Sequence, residues 1–263
     1  MGAESLARAY RDYLGELQPG VPCPAPEDGR ILDDPDAVRR LAEIFGVGLP
    51  EACPEWKLDL FEDARRRLRA AEPQLASLFE LVVTGVFSTP GPAGSMTTGE
   101  AIGIVWISPR PSWNVSDVVE AYVHELSHTL ITLDELCYRH YRDHAALSRH
   151  ENFIQSAIRR ERRPLGAAAH SIIVAEEVLS LREHVLGGDE GGHLHPPSRV
   201  LSDQGLEAAA AALRSPAVER LATPRLMELL RRSEIELRQL RDRLLGVEGN
   251  DARAKASAPS SKE

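Results

Sequence analysis

His124 and His128 stand four residues apart in the run His124-Glu125-Leu126-Ser127-His128. In a helix, residues four apart lie one above the other on the same face. The two imidazoles are therefore offered to one point, a spacing that suits a divalent metal ion. Glu125 sits one position round from His124. It cannot easily share the metal, but it can reach a bound water, and in zinc peptidases that glutamate is the general base. Two histidines on an exposed helix often mean nothing. Here the flanking runs, Val118-Val119-Glu120-Ala121-Tyr122-Val123 and Thr129-Leu130-Ile131, are largely apolar, so the helix is expected to be buried. Two histidines and a glutamate on a buried helix are costly without a metal or other partners.

The third ligand decides the chemistry, and the residues leave it open. The extended motif HExxHxxGxxH would place glycine at 131 and a ligand at 134, where this chain has Ile131 and Asp134. Without the glycine the helix should continue and point Asp134 elsewhere. A second helix offers Glu176 and Glu177, and the same helix carries His170. His170 lies among Gly166, Ala167, Ala168, Ala169, Ile172, Ile173 and Val174. A lone histidine in such a run is more often a satisfied core residue than a ligand. The small residues, however, let this helix pack closely on the motif helix. The other histidines are weaker candidates. His140, His144 and His150 fall among Arg and Asp on a segment expected to be exposed. His184 is near a helix end, where positive charge is favoured. His193 and His195 lie in a Gly-rich stretch that reads as a surface loop.

The elements that must position these residues are mostly helical. Ala, Leu, Arg and Glu abound while aromatics are only 5%, a mixture that favours helix over sheet. Helices are expected over Glu4–Leu17 and Asp36–Phe45, and over Glu55–Val83 with a break at Pro73. Leu81–Phe87 and Ala101–Ser108 are rich in β-branched and aromatic residues and predict two strands joined by a Gly/Pro/Ser/Thr loop, as a hairpin or the edge of a small sheet. Ser116 predicts the N-cap of a motif helix over Asp117–Leu136. Further helices are expected over Ser148–Arg160, from Pro164 to Leu186, over Ser202–Leu213 and over Pro216–Leu245. The fold class is mainly α with a small β element (α+β). One catalytic domain is expected over 1–247, its metal-site core at about 81–186, with a disordered tail over 248–263.

The formal charge of -9 argues against a nucleic-acid partner, because phosphate contacts need a basic surface. The basic runs at Arg65–Arg67 and Arg159–Arg163 read as solvated helix faces. Three cysteines without CxxC spacing point to reduced thiols rather than a disulfide framework or a Cys-rich zinc site. The start of the chain lacks the pattern of a signal peptide, and no run of eighteen apolar residues occurs. A cytoplasmic chain that uses no membrane is expected.

Taken together, a strand ending at Ile107-Ser108, the pair Trp113-Asn114, the run from Glu120 to His128, and Arg163-Pro164-Leu165-Gly166 leading to His170 resemble a family. This is the HExxH-motif peptide-modification family, the 2-oxoglutarate-dependent HExxH-type peptide β-hydroxylases of ribosomal peptide natural product pathways. The likeness spans roughly Phe87 to Glu183, somewhat over a third of the chain. It implies Fe(II) rather than zinc, held by His124, His128 and His170. Three positions of an octahedron are then open for 2-oxoglutarate and O2. The implied reaction is an oxidative decarboxylation of 2-oxoglutarate coupled to hydroxylation of an unactivated β-carbon. The substrate would be a ribosomally made precursor peptide, with room for a leader-peptide-binding or other biosynthetic partner protein. Glu125 would then orient a ligand or water rather than act as a peptidase base. Arg163 is the candidate for the distal carboxylate of 2-oxoglutarate, since arginine binds carboxylates through two parallel hydrogen bonds. Two other readings stand beside this one. One is a gluzincin-like Zn(II) metallopeptidase using His124, His128 and Glu176 or Glu177, with Glu125 as base. The other is a non-catalytic helical protein with a structural metal site.

Overall fold

A computed structural model describes residues 54–88, 94–99, 101–187 and 194–256, preceded by 39, 40, 42–44 and 46. The helix expected over Glu4–Leu17 lies outside these residues, as does His193; of the helix expected over Asp36–Phe45, residues 39, 40 and 42–44 are described and are helical. The described chain is mainly helical with a small sheet, the α+β class expected. None of its helices is long and apolar enough to cross a membrane.

Helix α1 (Glu55–Ala71) and helix α2 (Pro73–Val82) meet at Glu72, with Pro73 opening the second. Proline is tolerated there because the first N–H of a helix has no partner to lose. Leu81 and Val82 end α2 rather than beginning a strand. The sheet has β1 (Gly85–Phe87), β2 (Gly94–Thr97) and β3 (Ile104–Ser108) in the order β1-β3-β2. It is not a hairpin of two strands. β1 runs parallel to β3, and β2 pairs antiparallel to β3 from inside the stretch expected to be loop. Gly94-Ser95-Met96-Thr97 has no apolar alternation of its own, so its strand state comes from the ladder with β3. The turn into β3 uses Gly103 at φ 88, where an added Cβ would stand 3.1 Å from the Val82 carbonyl. Only glycine takes that conformation without strain.

Helix α3 (Val115–Tyr138) carries the motif. Its cap is Asn114, not Ser116. The Asn114 side chain accepts the Asp117 N–H at 3.1 Å, and Asp117 accepts the Asn114 N–H at 2.8 Å. Two otherwise unpaired donors are thus satisfied reciprocally. Ser116 instead receives a hydrogen bond from Arg67 at 2.7 Å, which ties α3 to α1.

The helix expected over Ser148–Arg160 does not form. That segment holds a single 3-10 turn (His150–Asn152) and β4 (Ile154–Gln155), which pairs antiparallel with β5 (Arg162–Arg163). Its polar side chains explain the failure. Asn152 donates to the Ala146 carbonyl, and the Ser156 hydroxyl accepts the Arg159 N–H at 3.2 Å. Such side-chain bonds offer the backbone an alternative to the helix ladder.

Helix α4 (Leu165–Leu181) is buried nearly all round and continues as one wide turn, Arg182–Leu186, that Gly187 closes at φ 78. α5 (Ser198–Leu213), α6 (Pro216–Leu221) and α7 (Pro224–Ala256) follow. The helix expected over Pro216–Leu245 is therefore two, broken at Ala222-Thr223, because the residue before a proline is pushed out of the helical region. α7 also runs on into the segment expected as tail. Residues 257–263 lie outside the described residues.

Two apolar cores result. One joins α1, α2, the sheet and α3 through Phe61, Leu68, Phe79 and Tyr122. The other surrounds α4 with α5, α6 and α7 through Ile172, Leu201, Leu230 and Leu237. α3 packs against α4 where the cores meet. At the far end of α3, which is tied to α7, Asp134 is fully buried. It accepts a fork from Arg225 at 2.8 and 3.1 Å and lies 2.5 Å from His140 Nε2. His140 is thus a buried structural residue and not part of an exposed segment.

Between α4 and α7, Glu176 accepts the Ser233 hydroxyl at 2.6 Å, while its Oε1 is buried without a hydrogen bond. Burial pushes its carboxyl well above the usual 4.5, and the neighbouring Glu177 adds to the rise. A raised folded value means the folded state holds its proton more tightly than the unfolded chain. The resulting stability is present below pH 4.5 and is lost as pH climbs through the raised value. Glu176→Gln is therefore expected to unfold at higher urea than the parent at pH 8, with the gap closing at pH 5. Equal urea midpoints at both pH values would refute this.

Candidate metal centre

The motif residues stand where α3 faces both β2 and α4. On the β2 side the Thr97 hydroxyl donates to Glu125 Oε2, and the Glu125 carboxylate is buried. Its other oxygen, Oε1, has no hydrogen bond and lies 3.7 Å from His124 Nε2. Burial pushes the Glu125 carboxyl up to about 7, against hydrogen bonds from Ser95 and Thr97 that pull it down. An orphaned carboxylate oxygen beside an imidazole nitrogen is a costly arrangement that a bound cation or water would relieve.

On the α4 side, His170 Nδ1 lies 3.3 Å from His128 Nδ1. The small residues around His170, with Ala168 and Ala169 fully buried, allow this close approach. A fourth imidazole completes the group. His195, in the segment before α5, places Nε2 2.8 Å from His124 Nδ1 and is 4% exposed. It was expected on a surface loop. Nothing within its own Gly-rich stretch marks it. The available signal lay elsewhere, in Glu120, a charged residue in an apolar run that had to find buried partners.

The environment keeps His124, His128 and His170 neutral. Burial depresses His128 to about 4 and His170 to about 3, and takes His124 well below its usual value; repulsion among the rings adds to the effect. Neutral imidazole is the metal-binding form.

Of the expected ligands, His128 and His170 face one another, while His124, its ring centre 4.9 Å from that of His128, pairs with His195. Among the described residues, no three His, Cys, Asp or Glu side chains already surround one point as a metal requires. Two facing imidazoles satisfy each other instead, one donating an N–H to the other's lone pair. Two nitrogens sharing a metal at about 2.0–2.1 Å would lie roughly 2.9–3.4 Å apart. The 3.3 Å between His128 Nδ1 and His170 Nδ1 falls in that range. A set of neutral imidazoles beside an unpaired carboxylate oxygen fits a borderline divalent ion such as iron or zinc.

The competing ligands go elsewhere. Asp134 is held by Arg225 and His140, as the missing glycine implied. Glu176 is committed to Ser233 on α7. Glu177 is buried beside Glu176. Arg163, on β5, has a side chain 40% exposed and lies 3.9 Å from Glu161, a loose pairing. Its charge nonetheless reaches His128, whose pKa it helps to depress. His144 and His184 are exposed, the latter lying 2.8 Å from the Ser180 carbonyl.

In comparisons with known proteins, no family model matches this chain, and no curated protein matches it.

Proposed function

We propose that the chain is an Fe(II)- and 2-oxoglutarate-dependent dioxygenase that hydroxylates a side-chain β-carbon in a ribosomally made precursor peptide. One observation carries the reading. His170, and not Glu176 or Asp134, stands beside His128, so the candidate donor set is all imidazole. That set departs from the two histidines and glutamate of a gluzincin. It matches what the resemblance to the HExxH-type peptide β-hydroxylases implies.

In this reading His124, His128 and His170 hold the iron. Iron with 2-oxoglutarate and O2 supplies the oxidising power, yielding succinate, CO2 and the hydroxylated peptide. Glu125, pinned by Thr97, orients a water or ligand near His124. Arg163, partly exposed at the His128 side, binds the distal carboxylate of 2-oxoglutarate. The reaction belongs in the cytoplasm, where a leader-peptide-binding partner protein could present the substrate. It requires neither nucleic acid nor membrane.

Anaerobic protein given Fe(II) and 2-oxoglutarate is expected to show a weak visible charge-transfer band, which His170→Ala abolishes. An unchanged band in that variant sinks the assignment of His170.

A second reading is favoured by a specific observation. A buried carboxyl raised to about 7, with one oxygen free near His124, is suited to general-base work at neutral pH. A zinc hydrolase with Glu125 as base would use it. Glu125→Gln separates the two. A hydrolase loses about 10²–10⁴-fold in rate with Zn(II). The dioxygenase keeps its charge-transfer band in the same variant.

A further inference from the structure

Three buried side chains stand behind His124: Arg182, Glu120 and His195. Arg182, at the end of α4, forks onto Glu120 of α3 through Nε at 2.7 Å and Nη2 at 2.9 Å. Its Nη1 donates to the Pro196 carbonyl at 2.7 Å and to Ser198 at 3.3 Å. The same guanidinium thus grips α3 and the segment that carries His195. Glu120 Oε1 lies 2.6 Å from His195 Nδ1, and His195 Nε2 lies 2.8 Å from His124 Nδ1. The chain of contacts runs Arg182–Glu120–His195–His124, with the first three members under 5% exposed.

Counting donors places the protons. A carboxylate only accepts, so His195 Nδ1 carries a hydrogen and donates it to Glu120. The Glu120 charge is already matched by the Arg182 fork. A hydrogen on His124 Nε2 would find no acceptor there, because Glu125 Oε1 at 3.7 Å is beyond hydrogen-bond reach, whereas one on Nδ1 has His195 Nε2 at 2.8 Å. His195 Nε2 is therefore a lone pair, and His124 must donate Nδ1–H to it. The nitrogen of His124 left with a lone pair is Nε2, the one 3.7 Å from the orphaned Glu125 oxygen.

We infer that His195 is a positioning residue: backed by Glu120 and Arg182, it locks His124 in the tautomer that offers Nε2 to a metal ion. Ligating histidines characteristically donate their other ring N–H to a fixed partner, which sets the ring's orientation and raises its basicity. Here that partner is a second histidine with its own carboxylate. The consequence for metal binding rests on the metal reading above, whereas the tautomer does not.

The test uses the full chain, metal-free, with ¹⁵N-labelled histidine rings read by long-range ¹H–¹⁵N correlation at neutral pH. The expected result is that both His124 and His195 carry their hydrogen on Nδ1. In His195→Leu, His124 should shift towards the Nε2–H form that free imidazole side chains prefer. In His195→Gln, whose amide oxygen can accept where Nε2 did, it should keep Nδ1–H. A parent protein with Nε2–H on His124, or with both His195 nitrogens protonated, overturns the inference. So does a His195→Leu variant in which His124 is unchanged. If His195→Leu does not fold, the parent pattern and His195→Gln decide.

A Co(II) titration followed by visible absorption is the second arm. His195→Leu should weaken binding about 10- to 100-fold, and His195→Gln should recover most of that loss. No Co(II) binding by the parent, with the tautomers as expected, would overturn the metal reading and leave the lock standing.

Discussion

Replacing Glu120 by alanine is expected to lower the stability of the folded chain by roughly 3–5 kcal/mol. The reason is the charge left behind. Arg182 and Glu120 side chains are each 2% exposed, so truncating the carboxylate strands a buried guanidinium that water cannot reach. His195 loses its acceptor at the same time. For a chain of this size such a loss moves the melting temperature by on the order of 10 °C, measurable by circular dichroism. The double variant Glu120→Leu with Arg182→Met should recover much of it, because an apolar pair of similar volume carries no stranded charge.

The pH dependence has a definite sign. Burial raises the Glu120 carboxyl, but the hydrogen bonds and charges of His195 and Arg182 outweigh it and hold the group below its usual 4.5. A depressed carboxylate stabilises above the unfolded value, and that stability is lost as pH falls through the folded one. The gap between parent and Glu120→Ala should therefore be full at neutral pH and shrink in acid below 4.5. A cost under about 1 kcal/mol at neutral pH would mean the pair is effectively solvated.

His128→Ala is expected to reduce the affinity for Co(II) by more than about 100-fold, because even partners that merely orient a ligand account for 10- to 100-fold. His128 stands between the two groups that meet at the site. It shares α3 with His124 and faces His170 on α4 at 3.3 Å. Removing it breaks the HExxH pair and isolates the α4 donor in one step. Glu176→Gln is the matched control. It lies on the same helix as His170, but its carboxylate is turned to Ser233, so Co(II) binding should be unaffected. Equal loss in both variants would mean that the effect comes from weakened packing of α4 and not from a missing ligand. Isothermal titration with parallel unfolding curves distinguishes these cases.

Much of the site was legible because it is local. The spacing of His124 and His128 is a property of one helix, and burial of that helix followed from the apolar runs on either side of the motif. Pro73, Pro164 and Gly187 marked helix ends through backbone constraints that act within a few residues. Other assignments were local in principle but went to the wrong competitor. Ser116 reads as an N-cap until Asn114 and Asp117 are seen to cap reciprocally. Asn152 and Ser156 reads as helical residues until their side chains are seen to hold a turn.

What only the tertiary structure decided involves partners far apart in the chain. β2 is a strand because β3 lies beside it, and no pattern within Gly94–Thr97 says so. Asp134 and Glu176 are held by Arg225 and Ser233, which stand 91 and 57 residues away. His195 joins the site because Arg182, 14 residues from Pro196, and Glu120, 75 residues from His195, pull its segment onto α3. Buried charges must be paired, and that need is visible in a sequence only as a demand. Glu120 announced from its apolar surroundings that it required partners. Which partners it found, Arg182 and a histidine facing His124, was settled by the packing of α3 against α4.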